Sequence, residues 1–349
     1  MNRRDRENII VSFWGIMLVL GASMLFAAAL VFLLSREPLR AVRYFFTGPF
    51  VNRYFFGNML DASVPLIFTG LGIALAFKAS LFNLGGEGQI YLGALVTTIV
   101  CTALPEFSGT AGGIAALCAG GVAAGLLASL SGYLKVQWNV DSMISSFLVS
   151  SAVIYGVNFF ITGVFKDPSS SLLATRSIDS RYFLPRLLLP STLSTSIFFA
   201  LGAALLVYFL LYRTRWGYEM TMCGLNPEFA RYGGVHVSSY VTMPFFLSGL
   251  LHGLGGGFAV LGTYHMSIKG FTSGLGWGGI AVALIAKNNP LGVIPAALFF
   301  AYLNAGSKAA MLYTDVTFEV AAVVEAFIFF FITSDLLFTF VRRKRRTFS

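Results

Sequence analysis

Long apolar runs, interrupted by short polar or glycine-rich stretches, follow one another along almost the whole chain of 349 residues. Many runs reach about 18 residues or more, which is the length that an α-helix needs to cross a bilayer core. Their hydrophobic residues are continuous rather than alternating, which favours helices over a β-barrel. The pattern predicts about ten membrane-spanning helices, at residues 9–34, 58–78, 86–104, 111–134, 143–163, 193–212, 237–263, 271–287, 290–307 and 317–338.

Composition supports this pattern. Hydrophobic residues make up 56% of the chain and charged residues 11%, against roughly 25% charged in soluble domains, and the mean hydropathy is +0.77. We therefore predict an all-α polytopic membrane protein with one transmembrane domain over residues 1–349. The first run, 9–34, is too long for a cleaved signal peptide and lacks a clear small-residue cleavage site, so we expect it to be retained.

The net charge of +9 comes largely from the two ends, NRRDR and RRKRR. Cationic residues at such positions anchor helix ends to anionic lipid, so we expect contact with membrane lipid and none with nucleic acid. An even number of helices places both termini on one side. The basic residues 342–346 and the basic segment 213–236 favour the cytoplasmic side, which leaves residues 164–192 outside.

Two pairs of similar motifs recur in the same order. PLIFTGL (65–71) matches PFFLSGL (244–250), and GEGQIYLGALV (86–96) resembles GLGWGGIAVAL (274–284). Two matched pairs in one order indicate a duplication.

The duplicated halves are predicted at about 58–163 and 237–338. Because an odd number of predicted helices separates the copies, the halves are expected to be inverted relative to each other. In transporters built this way, glycine-interrupted segments at matching positions mark a substrate path near the bilayer midplane.

The stretch SLFNLGGEGQIYLGAL (80–95) places polar residues where a helix should cross hydrocarbon. Such residues are costly against lipid, whereas a broken backbone is tolerated where it lines a cavity or packs inside protein. We predict that Asn83, Glu87, Gln89 and, from the matching segment, Trp277 line a substrate pathway. Tight helix packing by the glycines and a packing role for Trp277 are the alternatives.

Three stretches together resemble the permease subunits of ABC importers of the branched-chain amino acid, ribose and nucleoside class. They are LFNLGGEGQIYLGA, RTRWGYEMTMCGLNPEFARYGGV and GFTSGLGWGGIAVALIAKNNPLGVIPAALFF. The resemblance covers roughly residues 58–335 and looks strongest toward the nucleoside branch. It implies import of a small polar solute, first a purine nucleoside, with riboflavin or a simple sugar as alternatives.

The resemblance also implies partners and a location. They are cytoplasmic ATP-binding subunits that bind ATP and Mg²⁺, a second homologous permease, identical or different, an external substrate-binding protein or lipoprotein, and the bacterial inner membrane. One departure from the family pattern stands out: Ser150 occupies the place of a helix asparagine. The loss of an amide there predicts a changed ligand and puts a nucleoside in doubt.

The segment 213–236 predicts a short surface helix, because Asn226 and Pro227 suit a helix start and a glycine pair suits its end. It resembles the coupling helix that seats in an ATP-binding subunit; an ordinary amphipathic surface helix is the alternative. The residues predicted to couple the chain to the ATPase are Gly224, Asn226, Pro227, Glu228, Phe229, Arg231 and Tyr232.

No phosphate-binding G-x-x-x-x-G-K-[ST] motif occurs, so the chain is predicted to bind no ATP itself. Neither a catalytic constellation nor metal-ligand spacing is visible, so we expect no enzyme activity, cofactor or metal in this chain. Glu325, inside an apolar run, raises an alternative from another class, an ion-coupled secondary transporter.

Overall fold

The computed structural model describes residues 35–103 and 109–317, together with 21, 22, 24–26, 28–33, 323, 326 and 330. Within these residues the ordered elements are helices, and β-pairing is limited to isolated bridges. The α-helices are α1 (Pro38–Thr47), α2 (Arg53–Lys78), α3 (Gly86–Ala103), α4 (Gly109–Trp138), α5 (Ser142–Thr162), α6 (Ser196–Arg213), α7 (Arg215–Leu225), α8 (Pro227–Tyr232), α9 (Ser239–Ala259), α10 (Leu275–Ile285) and α11 (Pro290–Tyr313).

Six helices of the described chain are long and apolar enough to cross a membrane: α2, α4, α5, α6, α9 with its continuation to Tyr264, and α11. The predicted all-α polytopic membrane protein is therefore confirmed. Seven predicted helices recur with shifted ends, at 58–78, 86–104, 111–134, 143–163, 193–212, 237–263 and 290–307. Most of the predicted helices 9–34 and 317–338, and the basic residues 342–346, lie outside the described residues.

The prediction of a full span at 271–287 was wrong. Helix α10 begins at Leu275 and has 11 residues, or about 16 Å, roughly half of the 30 Å core. The residues before it form a turn, in which Ser273 and Gly274 have positive φ. The apolar run is long enough to suggest a span, but the glycines and this turn delay the start of the helix. Helix α1 was not predicted.

The chain divides into two compact units, residues 57–301, and residues 1–56 with 302–349. In the second of these, the Tyr302 hydroxyl donates a 2.9 Å hydrogen bond to the Phe46 carbonyl. The Tyr44 and Tyr313 rings stack at 4.6 Å. These contacts join α1 to the end of α11.

Within residues 57–301, α2 and α9 carry the repeated proline motifs, and both prolines lie inside their helices. The Phe68 and Phe258 rings stack at 5.1 Å, and four residues further along α2, Gly72 lies against His252. Residue numbers thus rise along α2 while they fall along α9. The two helices are antiparallel, which fits the predicted inversion.

Helices α3 and α10 begin at the repeated G-x-G motifs and are called the junction helices below. Helix α3 runs along α9 in the same direction, with Gly86 at His252 and Ile90 at Gly256. Helix α10 runs along α2 in the same way, with Gly278 at Leu66 and Val282 at Gly70. Each junction helix therefore packs on the long helix of the other predicted half; the extent of the halves stays a prediction.

The place where α3 and α10 begin, called the junction below, lies beside the middle of a candidate span. The helix from Ser239 to Tyr264 has 26 residues, or about 39 Å, and His252 is at its centre. A Cβ atom at Gly86, the first residue of α3, would lie 2.6 Å from His252 Nε2. Helix α3 thus begins beside the centre of this candidate span.

Gly256 gives a test of the crossing between α3 and α9. A Cβ atom there would overlap the Ile90 carbonyl oxygen and lie 3.0 Å from the Ala94 nitrogen, both of which are backbone atoms. We expect Gly256→Ala to lower the free energy of unfolding by about 1–3 kcal/mol, as for other overpacked sites. Gly202→Ala in α6, where nothing lies within 4 Å, is the control. Equal midpoints of thermal unfolding for the two variants would contradict this packing.

Candidate functional site

The backbone between α2 and α3, residues 79–85, leaves the helix, and two buried amides hold it. Asn83 is 0% and Gln89 2% exposed. Their amides pair reciprocally, with Asn83 Nδ2 donating to Gln89 Oε1 at 3.0 Å and Gln89 Nε2 donating to Asn83 Oδ1 at 2.9 Å. Asn83 also donates to Ser248 Oγ on α9 at 2.9 Å and accepts from the Gly85 nitrogen at 2.9 Å. These polar groups satisfy one another, which removes most of the cost of burying them.

Two serines of α5 complete the start of α3. Ser146 Oγ accepts from the Leu84 nitrogen at 3.0 Å, and Ser150 Oγ accepts from the Gly88 nitrogen at 2.8 Å. A helix leaves its first N–H groups without intrahelical partners, and Ser150 supplies an acceptor for one of them, while Ser146 binds the backbone just before the helix. The sequence analysis missed this role, although serines four residues apart share one helix face.

This geometry corrects the interpretation of Ser150 as a ligand-facing position. The residue is 4% exposed, and its hydroxyl is bonded to backbone. A Cβ atom at Gly88 would lie 2.7 Å from Ser150 Oγ, so the two helices touch there. The serine therefore gives no reason to expect a changed solute.

Glu87 links the two junction helices. Its Oε1 accepts from the Gly274 nitrogen at 2.9 Å and its Oε2 from the Gly276 nitrogen at 2.8 Å. Both donors lie at the N-terminus of α10, where unsatisfied N–H groups carry partial positive charge. A carboxylate on the first turn of α3 therefore caps the helix of the other predicted half.

Gly276 permits this contact. A Cβ atom there would lie 2.6 Å from Glu87 Cα and from the Gly86 carbonyl carbon. Both are backbone atoms with no freedom to rotate away. The first turns of α3 and α10 thus meet with no space for a side chain between them.

Trp277 follows directly and faces outward. It is 39% exposed, and its ring centroid lies 6.0 Å from that of Phe147, which is 43% exposed. We call this pair the aromatic face. Of the four residues predicted to line a pathway, Asn83, Glu87 and Gln89 are buried together, whereas Trp277 is at the surface of the described chain.

The turn before α10 indicates what surrounds the aromatic face. Ser273 is exposed and has φ of 40°, four residues before Trp277 and beside the buried Glu87 cap. Non-helical backbone at membrane depth does not face lipid, because its polar groups find no partners there. We therefore expect protein or water to cover this surface.

The predicted short surface helix is present as α8. Asn226 Oδ1 caps it by accepting from the Phe229 nitrogen at 3.0 Å, and Arg231 pairs with Glu228 at 3.0 Å. Phe229 is 63% and Tyr232 92% exposed. Large rings at the surface of a short helix are typical of an interaction site.

Gly224 connects the segment 213–236 to the non-helical stretch 79–85 between α2 and α3. A Cβ atom at Gly224 would lie 2.6 Å from the carbonyl carbon of Ala79. Ala79 directly follows α2 and opens the stretch that leads to Asn83. The segment 213–236 therefore rests on the backbone that enters the junction.

Two other buried polar residues make hydrogen bonds within the described chain. His252 is 0% exposed and its Nδ1 lies 2.6 Å from the Ser248 carbonyl oxygen, so Nδ1 is the protonated nitrogen. Asp61, which the sequence analysis missed, is 7% exposed and accepts from the Thr192 and Thr263 hydroxyls at 2.7 and 2.8 Å. Asp61 could have been recognised from the sequence as an acidic residue inside an apolar run. Glu325 lies outside the described residues, and in those described no three metal-ligating side chains cluster.

Comparison with known proteins agrees with the architecture. The family model described as branched-chain amino acid transport system / permease component matches residues 55–333. The chain is 34% identical over 324 residues to the probable riboflavin import permease protein RfuC of Treponema pallidum, which covers 92% of this chain and 84% of that protein.

Two further relatives have similar coverage. The guanosine ABC transporter permease protein NupP of Bacillus subtilis is 31% identical over 91% of this chain and 92% of its own length. The glucose ABC transporter permease protein TsgB13 of Haloferax volcanii is 30% identical over 92% and 87%. No solved structure matches the chain.

The Glu87 cap can be tested by removing one acceptor. In Glu87→Gln the amide keeps one oxygen but turns an NH₂ group toward a buried N–H donor, and in Glu87→Ala both donors lose their partner. We expect Glu87→Gln to lower the free energy of unfolding by about 1–3 kcal/mol, and Glu87→Ala by more. Thermal unfolding of the purified chain measures both. Glu37→Gln, at an exposed acid paired with Arg40, is the control, and a Glu87→Gln midpoint equal to the control's would contradict the cap.

Proposed function

Because the chain belongs to the family of permease components of the branched-chain amino acid transport system, we propose that it carries a purine nucleoside across the bacterial cytoplasmic membrane. The chain is the membrane-spanning permease subunit of an ATP-binding cassette importer. Permease subunits of this family are not enzymes, and partner ATPases use the ATP.

The junction of α3 and α10 is the observation that supports a solute pathway. Two helix N-termini meet at mid-span, and the exposed turn at Ser273 and the ring of Trp277 lie at their edge. Broken helices at such a depth are typical of transporter binding sites. We assign Trp277 to the wall of the passage, and Asn83, Glu87 and Gln89 to the support that sets its geometry.

The aromatic face favours a solute with a flat ring. Aromatic side chains stack on nucleobases regardless of base identity, and Phe147 and Trp277 present two partly exposed rings. The relative named for guanosine fits this chemistry. A flavin has the same combination of a flat ring and a polyol, and the relative named for riboflavin makes it the second candidate. A simple sugar, as in the relative named for glucose, has no flat ring to stack.

Coupling to ATP hydrolysis is assigned to the segment 213–236. Exposed Phe229 and Tyr232 are suited to a groove of an ATPase subunit, with Glu228 and Arg231 at the rim. Movement of α8 would reach the junction through the contact of Gly224 with Ala79. Because α3 packs rigidly on α9, a shift of this backbone would open the passage on one side and close it on the other.

The orientation follows from this assignment. Helix α6 is a candidate span between residues 164–192 and 213–236, so the two segments lie on opposite sides. With the coupling segment in the cytoplasm, residues 164–192 face an external substrate-binding protein or lipoprotein. Because α10 runs opposite to α9, the segment 271–287 still leads back toward the side from which α9 starts, so the predicted even count of crossings would keep both termini cytoplasmic. A second homologous permease would cover the rest of the passage.

An ion-coupled secondary transporter is the competing function. It requires no partner, so the purified chain alone in liposomes would move solute down an ion gradient. We expect no uptake until ATPase subunits and ATP are added. Uptake by the chain alone would reject the importer function.

Coupling is tested by Gly224→Val and Glu228→Lys in the assembled importer. The valine would displace the Ala79 backbone, and the lysine would repel Arg231 and alter the rim. We expect ATPase activity to continue while solute uptake per ATP falls at least severalfold, measured together in proteoliposomes. Glu37→Lys reverses the charge in the same i, i+3 pairing with an arginine and should change nothing. Unaltered stoichiometry in both variants would contradict the assignment.

The solute is tested at the aromatic face. Loss of one stacking ring costs about 1–3 kcal/mol per base, so Trp277→Ala should lower nucleoside uptake about tenfold or more, while Trp277→Phe keeps most of it. Phe198→Ala, at an exposed ring on α6, is the control. Binding of nucleosides, flavins, sugars and branched-chain amino acids to the cognate binding protein identifies the solute. Preferred binding of a sugar would overturn the nucleoside proposal.

A further inference from the structure

A groove of about 720 Å³ opens beside the coupling segment and has no role in the solute pathway proposed above. One wall comes from residues between the candidate spans that end at Arg213 and begin at Ser239, including Arg215 and His236. The other wall comes from α4 and the first two turns of α9, down to Phe246. The groove therefore crosses the boundary between membrane and water.

Polarity changes along the groove. Arg215 and His236 lie outside the spans and Ser239 is the first residue of one, whereas Met243 and Phe246 lie about 6–10 Å further along α9 than Ser239. A site that is polar at the surface, where it presents the Arg215 guanidinium beside Glu219, and apolar further along α9 matches a lipid, whose headgroup and acyl chain have the same order. Its volume is within the range of sites that hold organic ligands.

The guanidinium of Arg215 is held in place by Glu219. Arg215 Nε donates to Glu219 Oε1 at 2.5 Å, and the Tyr240 hydroxyl donates to Glu219 Oε2. The Tyr240 hydrogen bond and then the Arg215 pairing lower the pKa of Glu219, so its carboxylate stays ionised. The Arg215 side chain is nevertheless 90% exposed. The carboxylate fixes one edge of the guanidinium and leaves the rest open to a second anion.

Aromatic residues mark the same boundary. Trp216 and Tyr240 both line the groove, and their ring centroids lie 5.9 Å apart. Tryptophan and tyrosine are enriched at the membrane–water interface because their rings are apolar and their tips are polar. Exposed arginines at this level attract anionic headgroups.

We propose that this groove is a binding site for one anionic phospholipid, with the headgroup phosphate at Arg215 and an acyl chain along Met243 and Phe246. The lipid belongs to the leaflet on the side of the segment 213–236. The groove is defined by that segment and the candidate spans on either side of it. The proposal therefore does not depend on which solute the chain carries.

The test uses the purified full-length chain in detergent, with thermal unfolding measured during titration of lipid. Phosphatidylglycerol should stabilise the chain more than phosphatidylcholine with the same acyl chains. Arg215→Gln should weaken phosphatidylglycerol binding roughly fivefold, which corresponds to one basic residue near an anionic surface, and should reduce the preference between the lipids. Arg213→Gln, an exposed arginine at the end of α6 outside the groove, is the matched control and should bind like the unchanged chain.

A groove-filling variant and soluble anions separate the remaining possibilities. Met243→Trp should weaken the binding of both lipids, because the chain end of the groove is occupied. Glycerol phosphate and inorganic phosphate should give no comparable stabilisation. The proposal is overturned by equal binding of the two lipids, by an equal effect of Arg213→Gln and Arg215→Gln, or by glycerol phosphate as effective as the lipid.

Discussion

The carboxylate of Glu87 joins the two junction helices, α3 and α10, within residues 57–301. Its two oxygens accept from the Gly274 and Gly276 nitrogens, so the first turn of α3 closes the N-terminus of α10. Without this group, two helix N-termini of like partial charge would face each other with no anionic group between them. The acidic residue inside an apolar segment therefore has a structural role, because it caps α10 beside the centre of the candidate span Ser239–Tyr264.

The polar residues around Glu87 follow from the same constraint. Every helix that begins inside a membrane exposes N–H groups, and each must find an acceptor. Ser150 supplies an acceptor for α3, and Ser146 and the Asn83–Gln89 pair fix the backbone that precedes it. The cluster is rigid because its members satisfy one another, which leaves Trp277 and Phe147 as the partly exposed groups at its edge.

The same backbone connects the junction to the surface. Gly224 rests on Ala79, where the chain leaves α2, so the segment proposed to meet the ATPase touches the start of the break. The groove proposed to bind a lipid is lined by other residues of that segment and by α9. A single short region thus contacts the backbone that enters the junction and lines the proposed lipid site, which would give both a route to influence transport.

Much of the fold was predictable because spanning a bilayer demands long apolar runs, and the chain alone determined most helix positions, the repeated motifs, the surface helix at Asn226 and the family. The sequence could not show that the run at 271–287 is half a span, because hydropathy does not register a turn that tertiary contacts stabilise. Nor could it assign roles to Asn83, Gln89, Ser150 and Asp61, since an unpaired and a satisfied polar residue look alike in one dimension. Only packing of α2, α3, α9 and α10 decided those roles, because a buried hydrogen bond depends on which distant backbone group lies within about 3 Å.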